Sequence, residues 1–121
     1  MEGLGYNENS EPIIKCWKSH KEGSQAKPVK TWISELDDQS YKQVDKLIGF
    51  LRAEKRNLAL PYARHLGGGL HELRDQRQSG PGYRLYYYWE DDVIVILLVG
   101  GHKSTQEIDI KTARKRMMGE E

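Results

Sequence analysis

The chain is poor in cysteine, and Cys16 is the one thiol among 121 residues. A single cysteine excludes an intrachain disulfide and a zinc site built from several thiolates. Because Cys16 lies in the apolar segment 13–17, we expect a small buried thiol rather than a reactive one. The four histidines do not show the spacing of a metal-binding motif, so the sequence indicates no metal site.

Long apolar segments are lacking as well. The longest apolar run, VIVILLV at 93–99, is much shorter than the roughly 20 residues of a transmembrane helix. The N-terminal residues are polar and contain no signal-peptide core. We therefore expect a cytoplasmic protein that has no membrane partner.

Motifs of cofactor-dependent enzymes are also missing. There is no P-loop, and LGGGL at 66–70 lacks the strand-glycine-helix order of a dinucleotide-binding fingerprint. The nucleophile motif of serine hydrolases is absent too. We expect no cofactor.

The chain has no large excess of positive or negative charge, since its formal net charge is +1. The basic residues are nevertheless clustered along the chain. Residues 52–84 contain seven Lys and Arg against three acidic residues, and residues 111–116 contain four basic residues and no acid. Such clusters suit a local phosphate-binding patch. A set of solvated surface charges is the common alternative.

The apolar residues predict one short strand and two helices in the first half of the chain. IIKCW at 13–17 is the strand candidate. Pro28 suits the first turn of a helix, and apolar residues then recur with the helical period. The two stripes are Val29, Trp32, Ile33 and Leu36, and Tyr41, Val44, Leu47, Ile48 and Leu51. Because only Asp37 and Asp38 separate the stripes, we expect an antiparallel helical hairpin.

The second half of the chain predicts three strands and a final helix. The strand candidates are residues 70–75, 83–89 and 93–99. The last of them is apolar throughout, as in a central strand covered on both faces. Ser104 to Glu107 is a capping-box pattern that begins the final helix. The order β-α-α-β-β-β-α predicts an α+β fold with helices packed on the sheet, with a flexible leader at 1–11 and one domain at 12–118.

Strand alternation places basic and aromatic side chains together. One face of the strand 83–89 carries Arg84, Tyr86 and Tyr88, and the other carries Tyr83, Leu85, Tyr87 and Trp89. If the second set packs on helices, Arg84 lies on an open face, where its guanidinium can hold a phosphate between stacking rings. Arg74 on the preceding strand is the expected cross-strand neighbour. In the alternative, Arg84 pairs with Glu72 and only ties the strands together.

Further candidates for chemistry are one lysine and three histidines. Lys103 follows a strand and precedes a helix N-terminus, where free backbone N–H groups favour an anion. His65, His71 and His102 are candidate acid–base groups, because the reference pKa of histidine lies near neutrality. Each of them also fits an ordinary exposed histidine.

Three motifs together are typical of a known toxin superfamily. They are L-x-E-L-R at 70–74, G-x-G-Y-R at 80–84 and G-G-x-K-S-x-Q-x-x-D-I at 100–110. In this order they resemble the toxins of the RelE/ParE superfamily, and most of all the HigB-like, phage Gp49-like branch, also called addiction-module killer proteins. The resemblance covers residues 28–118. It implies a small RelE-like domain with an antiparallel or mixed sheet.

The resemblance implies a metal-independent endoribonuclease, the toxin of a type II toxin–antitoxin system. Such mRNA interferases depend on the ribosome, and attack of a ribose 2′-OH on the adjacent phosphate cleaves the mRNA and inhibits translation. The catalytic residues implied are Arg84, Arg74, Lys103, His71, Tyr86 and Asp109. The further RNA-binding residues expected are Arg64, His65, Arg77, Tyr88, His102 and Arg114. By this resemblance Arg84 stabilises the pentavalent phosphorane.

The resemblance leaves the groups that transfer protons open. His71, His102 and Tyr86 are all candidates for the base or the acid. The best-known members of the superfamily carry a catalytic tyrosine on the last helix. The matching position here is Asp109, and an aspartate is common there in the HigB-like branch. Asp109 either orients a basic residue or takes part in proton transfer.

Partners also follow from the resemblance. Such toxins are held by a cognate antitoxin, often a helix-turn-helix protein of the HigA-like kind, and their substrate is mRNA in the ribosomal A site. Two alternatives share the fold. One is a ParE-like toxin that binds DNA gyrase. A toxin of that kind has no need of clustered phosphate-contacting residues. The other is an inactive member that only binds RNA or the antitoxin.

Overall fold

The computed structural model describes residues 11–120, which contain five strands and three α-helices. The strands are β1 (Ile13–Cys16), β2 (Ala63–Gly67), β3 (Leu70–Arg74), β4 (Tyr83–Trp89) and β5 (Ile94–His102). The helices are α1 (Pro28–Ser34), α2 (Asp38–Glu54) and α3 (Gln106–Met117), with 3-10 turns at Lys55–Asn57 and Lys103–Thr105. Residues 1–10 of the predicted leader lie outside the described residues. The division into a leader and one domain at 12–118 stays a prediction.

The five strands form one mixed sheet with the order β1-β5-β4-β3-β2. β1 pairs in parallel with β5, and the other neighbouring strands are antiparallel. Residues 95–99 of β5 are all buried, which confirms the prediction of a central strand covered on both faces. The predicted α+β class is also confirmed. Within residues 11–120, no helix has the length and apolar character needed to cross a membrane.

The predicted order β-α-α-β-β-β-α is wrong in one respect, because it lacks β2. This edge strand has the sequence ARHLG, which shows little of the β-branched and aromatic character that marks a strand. The glycines of the LGGGL segment make a tight turn between β2 and β3. Gly67, Gly68 and Gly69 have φ values of 92°, 63° and 89°, a region that favours glycine. Arg114 donates to the carbonyls of Leu66 and Gly67 at 2.7 and 3.1 Å and ties α3 to this turn.

Helices cover both faces of the sheet. The hairpin face packs on α1 and α2, and the opposite face, the α3 face, packs on α3. The predicted alternation along β4 is confirmed, because Tyr83, Leu85 and Tyr87 belong to the core of the hairpin face and Tyr86 belongs to the core of the α3 face. The expectation that Arg84 lies on an open face is wrong. Arg84 is only 6% exposed, on a face that α3 covers.

The pair Gly100-Gly101 lies inside β5 and permits close packing on both of its sides. A Cβ at Gly100 would overlap the ring of Trp32, which packs from the hairpin face. A Cβ at Gly101 would overlap the Asp109 carboxylate and crowd the Thr105 hydroxyl, which pack from the α3 face. The absence of side chains at these two positions therefore allows α1 and α3 to approach the end of β5.

The start of α3 differs from the predicted capping box. The 3-10 turn at Lys103–Thr105 comes first, and α3 begins at Gln106. His102 and Thr105 cap this turn reciprocally, and the Thr105 hydroxyl accepts the backbone N–H of His102 at 3.2 Å. This pair replaces the expected pair of Ser104 and Glu107, because the extra turn shifts the first helical residue.

We expect Gly100→Ala to destabilise the protein by about 1–3 kcal/mol, because the added methyl group forces Trp32 or β5 to move. The control is Gly49→Ala inside α2, where an added Cβ meets nothing within 4 Å. That variant should be more stable by about 0.8–1 kcal/mol, since alanine is the better helix former. Urea unfolding measures both changes. Equal stability of Gly100→Ala and the wild type would contradict the close packing.

Candidate functional site

A fully buried carboxylate, that of Glu72, lies among three guanidinium groups on the α3 face. Nε of Arg64 and Nε of Arg74 lie 3.4 and 3.5 Å from Oε1 of Glu72, and Nε of Arg84 lies 3.9 Å from Oε2. At these distances the contacts are ion pairs rather than well-aligned hydrogen bonds. We call these four residues the arginine cluster.

The register of three neighbouring strands brings the arginine cluster together. Arg64 of β2 lies opposite Glu72 of β3, and Arg74 of β3 lies opposite Arg84 of β4. Glu72 and Arg74 are two residues apart, so both side chains point to the same face of the sheet. The predicted pairing of Arg74 with Arg84 is confirmed. The contact between Arg84 and Glu72, weighed above as the alternative, is present as well.

Two further side chains contact the buried carboxylate. Gln106, the first residue of α3, donates from Nε2 to Oε2 of Glu72 at 2.6 Å. Tyr86, the β4 partner of Glu72, is also fully buried. Burial, followed by the negative charge of Glu72, raises the pKa of Tyr86 well above its ordinary value. The phenol therefore stays protonated at neutral pH, and its hydroxyl has no contact with solvent.

The loop before β4 wraps around Arg84. Nη1 of Arg84 donates to the carbonyls of Gly82 and Tyr83 at 3.2 and 3.1 Å. Gly82 has a φ of 70°, and its carbonyl also accepts the backbone N–H of Lys103 at 2.9 Å. The exposed side chain of Lys103 therefore begins beside the loop that holds Arg84. It adds a cation at the rim of the arginine cluster.

The outer ends of two arginines in the cluster are available to an anion. The side chains of Arg64 and Arg74 are 42% and 29% exposed, whereas that of Glu72 is 0% exposed. Within residues 11–120, their terminal amino groups donate no hydrogen bond. Three guanidinium groups and one carboxylate leave an excess of positive charge. An anion with several oxygens, such as a phosphate, fits this arrangement.

The structure separates His71 and His65 from the arginine cluster. Both lie on the hairpin face, where His71 stacks on Tyr87 with ring centroids 5.0 Å apart, and the ring of His65 lies 4.3 Å from that of His71. Burial, followed by the positive charges of His65 and Arg56, lowers the pKa of His71 to about 4. His71 is therefore neutral at pH 7 and lies across the sheet from Arg84.

Four other residues expected to contact RNA lie outside the arginine cluster. Arg77 forms a bidentate ion pair with the buried Asp75, with Nε 3.2 Å from Oδ1 and Nη2 2.9 Å from Oδ2. Arg114 is bound to the turn between β2 and β3. Tyr88 packs on the core of the α3 face, further along β4, and His102 caps the 3-10 turn before α3. Of the expected RNA-binding residues, the structure brings Arg64 into the cluster.

Asp109 lies near Arg84 on the α3 face. Its carboxylate packs against Gly101, which is the β5 partner of Arg84. It also accepts a hydrogen bond from the Thr105 hydroxyl at 2.5 Å. The structure therefore brings Asp109 to the end of the sheet where Arg84 and Lys103 lie.

Sequence reasoning did not identify Glu72 and Gln106 as site residues. Both lie in the motifs quoted above, Glu72 in L-x-E-L-R and Gln106 in the motif at 100–110. Glu72 and Arg74 are two residues apart, so alternation puts them on the same side of their strand, which is a usable signal. Gln106 gave no comparable signal, because only the position of α3 on the sheet brings it to Glu72.

One comparison with known proteins gives a match that covers most of the chain. A protein-family model described as phage-derived protein Gp49-like matches residues 31–118. That range contains the whole arginine cluster together with Lys103, Gln106 and Asp109. Comparison with curated proteins found no match. In the part of the chain that the structure describes, no three His, Cys, Asp or Glu residues are grouped so that they could hold a metal ion.

In the folded protein, we expect His71 to remain neutral until the pH falls to about 4, compared with an ordinary pKa of 6.5. The unfolded chain takes up this proton at the higher pH. The free energy of unfolding should therefore decrease as the pH falls from 6.5 towards about 4. His71→Phe should weaken this dependence. NMR titration of the imidazole signals is the direct check, and a midpoint near 6.5 for His71 would contradict its burial against Tyr87.

Proposed function

Since the chain belongs to the phage-derived protein Gp49-like family, in the RelE/HigB-like branch of toxins, we propose that it is the toxin of a type II toxin–antitoxin system and an mRNA endoribonuclease. Its proposed substrate is mRNA in the ribosomal A site. Cleavage there inhibits translation, so the proposed place of action is the cytoplasm.

The arginine cluster is the observation that carries this proposal. Arg64, Arg74 and Arg84 approach one another at the end of the sheet, and the terminal amino groups of Arg64 and Arg74 donate no hydrogen bond to any of residues 11–120. The planar fork of a guanidinium matches the oxygens of a phosphate. A toxin that only binds DNA gyrase has no need of such a cluster, which favours the nuclease.

The proposed reaction is an internal transesterification at one phosphate of the mRNA. The 2′-oxygen of a nucleotide forms a bond to the adjacent phosphorus, and the bond from phosphorus to the 5′-oxygen breaks. The 2′-hydroxyl gives its proton to a base, and the departing 5′-oxygen receives a proton from an acid. The products are a 2′,3′-cyclic phosphate and a 5′-hydroxyl. Arg74, Arg84 and Lys103 stabilise the phosphorane more strongly than the substrate, because its oxygens carry more negative charge.

Asp109 is the proton-transfer group that we propose. Asp109 packs against Gly101, the strand partner of Arg84. His102 is not assigned a role, since it lies opposite Tyr83 on the hairpin face, with the two ring centroids 6.3 Å apart. His71 is not assigned a role, since it lies on the hairpin face. The hydroxyl of Tyr86 is buried, so Tyr86 is proposed to support Glu72 rather than to touch the substrate.

The proposed regulator is a cognate antitoxin, for which the toxin family is the support. A helix-turn-helix protein of the HigA-like kind is the form we propose. The partly exposed Arg64 and Arg74 and the exposed Lys103 attract acidic segments as well as RNA, so an antitoxin that covers the arginine cluster would also block the substrate.

Expression of the protein in bacterial cells without an antitoxin tests the proposal. The wild type should arrest growth and create new mRNA 5′ ends within translated codons. Arg84→Ala should reduce these ends by about 100- to 1000-fold, because loss of one preorganised charge-stabilising donor has an effect of this size. The variant should stay folded, since Glu72 keeps Arg64 and Arg74 as partners. Sequencing of mRNA 5′ ends measures the change.

Arg56→Ala is the matched control for this experiment. Arg56 is an exposed arginine that lies over the ring of Trp89, 4.7 Å from its centroid, away from the arginine cluster. Its removal should leave cleavage at the wild-type level. Growth arrest with intact mRNA and a DNA-damage response would favour a gyrase target. Unchanged cleavage by Arg84→Ala would remove the arginine cluster from the reaction.

A further inference from the structure

The position of Glu72 among the three arginines indicates a role for this residue that goes beyond the proposed nuclease activity. We infer that Glu72 is a positioning residue, which holds three arginines by their Nε side so that the outer amino groups of Arg64 and Arg74 are directed at one phosphate. The identity of that phosphate rests on the proposed function, whereas the arrangement of the arginines rests on the structure. Glu72 itself is fully buried and does not touch RNA.

Each arginine of the cluster contacts Glu72 through the same atom. The Nε atoms of Arg64, Arg74 and Arg84 lie 3.4, 3.5 and 3.9 Å from the two carboxylate oxygens. Nε is the guanidinium nitrogen closest to the backbone, so a contact there leaves the terminal amino groups beyond it. In Arg64 and Arg74 these groups have no hydrogen-bond partner among residues 11–120. One carboxylate therefore orients several donors outward at once.

The charge balance of the cluster matches the reaction. Three guanidinium groups at this spacing would repel one another and separate if no anion lay between them. Glu72 neutralises one of the three charges and leaves an excess of two. A phosphodiester carries one negative charge, and the phosphorane formed from it carries a second. The remaining positive charge therefore complements the phosphorane better than the substrate.

The helix α3 sets the orientation of the carboxylate. Gln106 donates to Oε2 of Glu72 at 2.6 Å, which is the oxygen next to Arg84, while Arg64 and Arg74 share Oε1. This hydrogen bond fixes the plane of the carboxylate and, through it, the directions of the three arginines. Gln106 is therefore part of the same positioning device.

Glu72→Gln keeps the shape of the side chain and removes its charge. The three arginines then lose their common partner, while the cluster gains one unit of positive charge. Binding of RNA should be unchanged or tighter, because the added charge attracts phosphate. Cleavage should fall by about 10- to 100-fold, which is the effect of misplacing a catalytic group by roughly 1 Å. A residue needed only for stability would lower binding and cleavage together.

The test uses the purified full-length chain in a translation reaction with mapping of mRNA ends. Binding is measured separately by fluorescence anisotropy with a 2′-deoxy oligonucleotide that cannot be cleaved. Asp75→Asn is the matched control, because Asp75 is also a buried carboxylate paired with an arginine, at 2.9 Å from Arg77. It lies outside the cluster and should leave cleavage and binding unchanged.

Glu72→Gln removes a buried charge and could unfold the protein, so a second variant and a second measurement are added to the test. Gln106→Ala keeps the charge of Glu72 but frees its orientation, so cleavage should fall while binding is kept. NMR of the arginine Nε–H groups follows the cluster without any cleavage. In Glu72→Gln and Gln106→Ala, the signals of the three arginines should shift and broaden, whereas that of Arg77 should not.

The outcomes separate this inference from the proposed function. If the wild type does not cleave mRNA, the proposed function fails, and the arginine signals still decide whether Glu72 positions them. If the wild type cleaves mRNA and both Glu72→Gln and Gln106→Ala cleave it at the wild-type rate, the inference is overturned. Arginine signals that stay unchanged in both variants would overturn it as well.

Discussion

The ion pairs of one buried carboxylate hold the candidate site together. An unpaired carboxylate without solvent contact strongly destabilises a folded protein, so Glu72 requires the guanidinium groups and the amide that surround it. These partners come from β2, β3, β4 and α3. Side chains from the edge strand, the middle of the sheet and the last helix therefore all contact the carboxylate of Glu72. An arrangement made for stability alone would be satisfied by one arginine, whereas three provide the positive charge that a phosphate needs.

Close packing beside the sheet gives α3 the position that this arrangement requires. Gly101 has no side chain, so Asp109 and Thr105 can lie against the backbone of β5. Thr105 directly precedes Gln106, and its contact with the strand places Gln106 within hydrogen-bond distance of Glu72. Gly100 has the corresponding role on the hairpin face, where it receives the ring of Trp32. A pair of glycines at the end of one strand thus links the packing of both helical layers to the geometry of the site.

Much of the fold could be predicted from the sequence, because β4 and β5 have strong aromatic and apolar patterns and α1 and α2 have clear helical stripes. The edge strand β2 could not, since ARHLG has no such pattern and pairs only on one side. Alternation assigned Arg84 to the correct side of β4 but could not reveal that α3 covers that side. Alternation along the strand 70–75 also puts His71 and Arg74 on different sides of the sheet, so it is a better guide to the site than a list of acid–base residue types. Gln106 depended on tertiary packing and had no local signal.

The central claim is that the arginine cluster binds the phosphate at which the RNA is cleaved. The most direct measurement is a structure of the protein on a ribosome whose mRNA carries a 2′-O-methyl group at the cleavage position. We expect the oxygens of that phosphate within hydrogen-bond distance of the terminal amino groups of Arg64 and Arg74, with Glu72 still buried behind them. A phosphate held instead on the hairpin face, near His71, would contradict the account.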